Sequence, residues 1–236
     1  MGFAENLAAI HERIHVACGR AGRDPAAVQL VAVSKGHPPE RVNEAVALGV
    51  TLFGENRVQE AKAKIPSCSG RARWHLIGHL QTNKARDAVE LFEMIESVDS
   101  LRLAEEINRR AEQAAKTVPV LLEVNVAGEA TKFGYQPDQL LAELDALNKL
   151  PRLGLRGLMT IAPWTPEPEK VRSVFRRLRE LKEQCGQRLG TPMPQLSMGM
   201  SGDFEVAIEE GATLVRIGTA LFGPRPPVRR PVGAGD

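Results

Sequence analysis

The chain lacks most of the features that announce a function. It has no excess of charge: 31 basic and 29 acidic residues leave a net +2 over 236 residues. That balance argues against nucleic acid and anionic membranes as partners. No apolar run approaches the length of a membrane span. Glu5, His11, Glu12 and Arg13 fall at helical spacing near the start, where a signal peptide would carry an apolar core. The three cysteines, Cys18, Cys68 and Cys185, have neither knuckle nor redox spacing. They read as free thiols of a reducing compartment, so the cytoplasm is expected. His75 and His79 bracket a strand rather than share a helix face, so no metal site is expected. No carboxylate pair, Ser-His-Asp order or Gly-rich dinucleotide fingerprint is visible.

What is present is a regular alternation of strands and helices. Residues 3–20 form an amphipathic helix with Leu7, Ile10, Ile14 and Ala17 on one face. Strands are expected at 28–34, 51–53, 74–78, 94–98, 118–126, 155–161, 195–198 and 214–217. A helix follows each, the last reduced to Thr219–Phe222. Pro38-Pro39 opens one helix, Asp99 or Ser100 caps another, and Gly49 and Gly211 stop two. The run 118–126 is apolar almost throughout, as in a parallel strand covered on both faces. Eight such units predict one (β/α)₈ TIM barrel over residues 1–223 with an extra N-terminal helix. An open doubly wound sheet is the alternative. Residues 224–236, rich in Pro, Arg and Gly, are expected to be a disordered tail with its arginines solvated.

Barrel sites lie at the carboxyl ends of the strands. There the sequence places Lys35, Asn56, His75 to His79, Asp99, Asn125, Met159-Thr160, Ser201-Gly202 and Arg216 to Thr219. Asp99 and Glu55 are the carboxylate candidates. The stretch Leu30 to Gly36 is an apolar run ending in one lysine. By itself, Lys35 reads either as a charge closing a strand or as an amine held for covalent chemistry. Ser197-Met198-Gly199-Met200-Ser201-Gly202-Asp203 and Arg216-Ile217-Gly218-Thr219 enter helices through glycines and hydroxyls. Loops after the seventh and eighth strands are common phosphate sites in such barrels, although tight capped turns would look the same. A lysine opposite a phosphate cradle suits a phosphorylated aldehyde bound as a Schiff base, and pyridoxal 5′-phosphate (PLP) has that chemistry. Arg216 either reaches the ring nitrogen or pairs with Glu55 or Glu123. Lys132-Phe133-Gly134 either closes over the mouth or is an ordinary turn.

These segments, in order, resemble the pyridoxal phosphate homeostasis proteins, single-domain relatives of the alanine racemase N-terminal barrel. The matching motifs are Val31-Ala32-Val33-Ser34-Lys35, Phe53-Gly54-Glu55-Asn56 with Val58-Gln59-Glu60, and Trp74-His75-Leu76-Ile77-Gly78 with Leu80-Gln81-Thr82-Asn83-Lys84. Then come Arg156-Gly157-Leu158-Met159, Leu196-Ser197-Met198-Gly199-Met200-Ser201, and Val215-Arg216-Ile217-Gly218-Thr219 with Phe222-Gly223. The resemblance implies a covalent aldimine between PLP and Lys35. It implies phosphate contacts from Ser201, Gly202, Gly218 and Thr219, Arg216 near the ring nitrogen, and Asn56 near the ring hydroxyl and aldimine. It places His75 and Met159 around the ring. Arg57 and His79 depart from the family pattern, where tyrosine and proline are frequent.

The resemblance also implies a role in vitamin B6 homeostasis without an established reaction. Racemase chemistry needs an acid/base on each face of the substrate carbon, and Tyr135 is the only tyrosine. An arginine at the ring nitrogen would disfavour its protonation and weaken the electron sink. A non-catalytic PLP holder is therefore expected, with PLP-dependent apo-enzymes as recipients. The alternatives are a weak PLP-dependent racemase or lyase using Lys35 as base, and a Schiff-base aldolase without PLP. A monomer is slightly favoured.

Overall fold

The computed structural model describes residues 2–129 and 131–224. Eight parallel strands close into a barrel in chain order: β1 (Gln29–Val33), β2 (Leu52–Glu55), β3 (Arg73–Leu76), β4 (Met94–Val98), β5 (Val118–Glu123), β6 (Leu153–Met159), β7 (Gln195–Met200) and β8 (Leu214–Ile217). Closure is made by β1 against β8, in register from Gln29 opposite Leu214 to Ala32 opposite Ile217. The helices are α1 (Phe3–Arg20), α2 (Pro39–Ala47), α3 (Val58–Lys64), α4 (Ala85–Leu91), α5 (Leu101–Gln113), α6 (Pro137–Asn148), α7 (Arg172–Leu189), α8 (Phe204–Glu209) and α9 (Thr219–Phe222). The barrel expected from the alternation is thus observed, and the open sheet is excluded.

Two apolar layers hold it together. Inside the barrel, Val31, Val33, Leu52, Ile77, Met94, Leu121, Met159 and Leu214 pack into one cluster. A larger cluster lies between the strands and the helices. Each fully buried Leu, Val or Met removes its side chain from water, at about 1.5–3 kcal/mol apiece. Alternating strand positions feed the two layers, which is why 118–122 reads as a continuous apolar run.

The extra helix has a structural cause. α9 is a single turn of four residues, too short to cover its flank of the barrel. α1 covers it instead. Phe3 packs on Phe222 with ring centroids 5.2 Å apart, and Asn6 Nδ2 donates to Leu221 O at 3.1 Å. Beyond α1, the Arg23 guanidinium donates to Ile208 O and Ala212 O at 2.5 and 2.8 Å, tying the loop to α8.

Several boundaries differ from the expected ones. β5 stops at Glu123 rather than Val126, because Val124 leaves the ladder and bridges to Tyr135. β6 runs from Leu153 to Met159, two residues ahead of the expected span at each end. Ser100, not Asp99, caps α5: its hydroxyl accepts the Leu103 N–H at 3.3 Å. From residue 225 the expected disordered tail lies outside the described residues.

Candidate functional site

At the carboxyl end of the barrel, one cavity of about 320 Å³ is lined by Lys35, Asn56, Ser201, Gly202, Arg216, Gly218 and Thr219. Val33, Ile77, Ile161, Trp164, Thr165, Met200 and Asp203 complete its wall. Its size is that of a small-molecule site. A second cavity of about 240 Å³ lies at the amino ends of β1 to β3, against Leu7 and His11. It gathers no lysine, and its one glycine is Gly49 in the loop before β2. Most of the residues singled out from sequence therefore gather at the mouth.

Lys35 is delivered by a tight turn. Ser34 leaves the ladder while its N–H still donates to Gly54 O at 3.2 Å, and His37 N donates back to Ser34 O at 3.0 Å. Gly36 has φ +74°, the left-handed conformation that the third position of a type II turn requires. The Lys35 side chain is half-buried on the cavity wall.

The glycine-and-hydroxyl loops meet there. Gly199 has φ +92°, and a Cβ on it would lie 2.6 Å from Ala207 Cβ and 2.9 Å from Phe204 Cα. Only glycine lets α8 sit this close behind β7, which sets where Ser201 and Gly202 emerge. Ser201 Oγ accepts the Ala220 N–H at 3.5 Å, joining this loop to the turn after β8. A Cβ on Gly202 would meet nothing within 4 Å, so the space over that backbone is open.

The lysine and this cradle are neighbours. The expectation of a lysine across the mouth from the cradle is corrected by the β1–β8 pairing, which puts Val31 beside Arg216. Gly218 lies against Val33, 3.5 Å from a Cβ built on the glycine to Val33 Cβ and O.

Arg216 is 4% exposed and its guanidinium is held on two sides. Nη1 donates to Ser197 Oγ at 2.5 Å and Nη2 to Thr160 O at 2.7 Å. Ser197 in turn donates to Glu96 Oε2 at 2.5 Å, and Glu96 Oε1 meets His75 Nδ1 at 2.6 Å. A polar chain thus crosses the barrel from β8 through β7 and β4 to β3. Burial pushes the Glu96 carboxyl up, but the His75 hydrogen bond, the His75 and Arg216 charges and the Ser197 hydroxyl outweigh it and hold it low. Burial lowers the Arg216 pKa, opposed by the charges of Glu96, Glu123 and Asp203. Arg216 makes no direct bond to Glu55 or Glu123, the partners considered from sequence.

Not every expected residue reaches the cavity. His75 lies in the barrel interior, bonded to Glu96, and Met159 is fully buried in the inner apolar cluster. Neither lines the cavity wall. Asn125 organises its own loop, donating to Glu129 O at 2.8 Å and accepting from Glu129 N at 3.2 Å. At the rim, His79 stacks on Phe133 with centroids 3.7 Å apart and bonds Asp99 at 2.9 Å. That gives both His79 and the Lys132-Phe133-Gly134 loop a specific contact. Arg57 supplies the N-cap position of α3. Sequence reading missed Glu96, although two polar residues, Glu96 and Ser97, inside the buried strand Met94-Ile95-Glu96-Ser97-Val98 were a visible signal; Ser197 was quoted in the seventh-strand motif without a role. It also missed Trp164, which is 88% exposed on the cavity wall.

Fold and cavity define a (β/α)₈ barrel of the alanine racemase N-terminal type, with a lysine and two glycine-and-hydroxyl loops side by side at its mouth. The family model for the alanine racemase N-terminal domain matches residues 6–226. The chain belongs to the pyridoxal phosphate homeostasis protein family. It is 46% identical over 226 residues to the pyridoxal phosphate homeostasis protein of Aquifex aeolicus, spanning 95% of this chain and 99% of that one. The Pseudomonas aeruginosa protein of the same name is 47% identical over 224 residues, spanning 94% and 96%. Among solved structures, PipY of Synechococcus elongatus with PLP bound superposes with a TM-score of 0.83 at 41% identity, covering 94% of this chain and all 100% of that one. A D-threonine aldolase from Filomicrobium marinum, at 18% identity and a TM-score of 0.73, shares the fold, this chain covering 59% of its length.

Proposed function

We propose that this protein holds PLP as a reversible Schiff base on Lys35, acting in cytoplasmic vitamin B6 homeostasis without turning over a substrate. One observation carries the reading: Lys35, the Ser201-Gly202 and Gly218-Thr219 loops and Arg216 share one cavity. The donor set fits the cofactor. PLP carries its aldehyde and its phosphate arm on adjacent ring carbons, and the lysine and cradle sit on adjacent strands. Backbone N–H groups and the Ser201 and Thr219 hydroxyls suit a phosphate. The buried Arg216 suits an unprotonated ring nitrogen.

The roles of this chain's residues follow. Lys35 presents its amine to the aldehyde carbon. A C=N bond forms, and water leaves with the aldehyde oxygen and the two amine protons. The loops hold the phosphate, Asn56 faces the ring hydroxyl, and Arg216 keeps a donor on the ring nitrogen. When bound, PLP supplies a conjugated ring that can take up electrons, and an arginine at its nitrogen weakens that capacity.

Two features favour a holder. Tyr135 is fully buried and does not line the cavity. It offers no acid/base at the mouth. The cavity is open at Trp164, so the cofactor can leave toward PLP-dependent apo-enzymes. One observation favours a weak racemase or lyase instead: Asp203 stands in the wall, its pKa raised by burial against the Met200 hydrogen bond and the Arg216 charge.

The experiment is absorbance with borohydride trapping. Purified protein supplied with PLP turns yellow, reduction fixes the cofactor to Lys35, and Lys35→Ala abolishes both. A protein that stays colourless with added PLP ends this reading. Deuterium exchange at the α-carbon of amino acids then separates holder from racemase. Rapid Lys35-dependent exchange would establish the enzyme.

A further inference from the structure

Next to the lysine lies a buried ionic cluster that the proposed function does not use. Lys64, the last residue of α3, has a side chain 6% exposed. Its Nζ donates to Glu55 Oε1 at 2.6 Å, Ser34 O at 2.8 Å and Glu60 Oε1 at 3.0 Å. An ammonium has three N–H donors, and all three are used. Ser34 Oγ donates to the same Glu55 oxygen at 2.7 Å. Glu60 Oε1 also accepts the Gly36 N–H at 2.5 Å.

The cluster therefore grips the chain on both sides of Lys35. Ser34 is held through its carbonyl and hydroxyl, and Gly36 through its amide. Burying such a cluster is a poor source of stability, since desolvation offsets most of the ionic attraction. Burial pushes the Glu55 carboxyl up despite Lys64, and Glu55 Oε2 has no hydrogen-bond partner among the described residues. Burial also pushes Glu60 up, but the Gly36 and Lys64 hydrogen bonds outweigh it and keep it ionised below its ordinary range. An arrangement with so little to add to stability, closed around the two peptide neighbours of one lysine, calls for a role at that lysine.

We propose that Lys64, Glu60 and Glu55 are positioning residues for Lys35, fixing the Ser34–Gly36 turn so that the amine meets a bound aldehyde at attack distance. This rests on the reading of Lys35 as the PLP lysine. Aligning an amine with a carbonyl matters because small misplacements of reacting atoms are costly in rate. Glu60 is the discriminating member. It touches the turn directly through the Gly36 amide and indirectly through Lys64, and it does not line the cavity.

The test uses the full chain and two ligands. PLP reports adduct formation, in which the amine adds to the aldehyde and water leaves. Pyridoxine 5′-phosphate, with a hydroxymethyl group in place of the aldehyde, reports binding by the rest of the site. Glu60→Ala is expected to slow adduct formation with PLP about tenfold or more while pyridoxine 5′-phosphate affinity stays within about twofold. Glu60→Gln, whose amide oxygen can still accept from Gly36, is expected to recover most of that rate. Glu60→Ala at the wild-type rate overturns the proposal, and so does an equal loss for both ligands, which would mean general support of the site. If the wild-type adduct persists in Lys35→Ala, the PLP reading itself falls and takes the proposal with it. A measurement that needs no variant is hydrogen exchange at Gly36. That residue is exposed, so its amide should exchange freely unless Glu60 holds it. Slow exchange in the wild-type chain supports the clamp, and exchange at the unprotected rate overturns it.

Discussion

Ser201 Oγ lies 3.5 Å from the Ala220 amide, so the loops after β7 and β8 are joined by one hydroxyl. Ser201 and Thr219 both line the cavity. An incoming phosphate would therefore meet donors from two strands held in one frame. Preformed donors cost little ordering on binding.

Removing either hydroxyl should weaken PLP without touching Lys35. Ser201→Ala and Thr219→Ala each lose one hydrogen bond to a charged group, about 1.5–3 kcal/mol, or about tenfold or more in affinity. Pyridoxal, which has no phosphate, should bind both variants as it binds the wild type. Absorbance titration with the two aldehydes reads the difference. Equal losses for both would remove the phosphate assignment.

The chain from Arg216 through Ser197 and Glu96 to His75 carries a second expectation. Glu96 is fully buried and its folded pKa is depressed, by its partners against its burial. A depressed carboxylate adds stability above its unfolded pKa, and this is lost as pH falls through the folded value. Below 4.5, the ordinary value of a glutamate carboxyl, the wild type should thus lose stability progressively. Glu96→Gln leaves Arg216 without its nearest counter-charge and should cost about 3 kcal/mol at pH 7. It should also flatten the acid limb. Urea unfolding at pH 7, 4 and 3 tests both statements.

Glu123 should act with the opposite sign. Burial, then the Asp99 charge, raise its carboxyl from 4.5 to about 7, against the pull of Arg216. A raised carboxyl favours folding while protonated. That contribution is complete below 4.5 and is lost as pH rises to about 7. The difference corresponds to about 3 kcal/mol as an upper figure. Glu123→Gln should remove this slope and be more stable than the wild type at pH 8. Urea unfolding at pH 5 and pH 8 of both proteins is the check, and identical slopes would refute it.

Trp164 offers a direct optical report. It is 88% exposed on the cavity wall, whereas Trp74, the other tryptophan, is 5% exposed in the core. PLP binding should quench the red-shifted fluorescence of a water-exposed indole and spare the blue-shifted component. In Trp164→Phe the response to PLP should shrink to that of Trp74. An unchanged response in that variant would place the ligand elsewhere.

How much of this was legible in the chain depends on the range of the interactions. Strands such as 94–98 and 214–217 were readable to the residue because apolar runs and capping residues are local signals. The end of β5 was misread because Val124 departs to pair with Tyr135, a contact across a loop. The lysine was read as opposite the cradle although the closed barrel expected from the alternation already puts β1 beside β8. His75 and Met159 fall at strand ends, yet they point into the barrel below the cavity, and alternation alone did not say how deep. Lys64 was not singled out in Val58-Gln59-Glu60-Ala61-Lys62-Ala63-Lys64, where it is one of two lysines near the end of a helix. Its burial follows from packing α3 against β2 and from its bond to Ser34 O just past β1, which no local pattern encodes.

Asn56 provides the last expectation. It lines the cavity at the end of β2, and Gly78 after β3 is packed against its backbone. A Cβ on Gly78 would stand 2.4 Å from Asn56 O and 2.8 Å from Asn56 Cα. Backbone cannot swing aside as a long side chain can, so Gly78→Ala must push the two loops apart. Overpacking of this kind typically costs about 1–3 kcal/mol. The displaced residue is also a cavity residue. PLP affinity should therefore fall together with thermal stability in Gly78→Ala. In Gly70→Ala, where a Cβ meets nothing within 4 Å, both should stay near wild type. Thermal unfolding with and without PLP separates the two effects: in Gly78→Ala the rise in Tm on adding PLP should be smaller than in the wild type. An undiminished rise would mean that Asn56 has no part in holding the ligand.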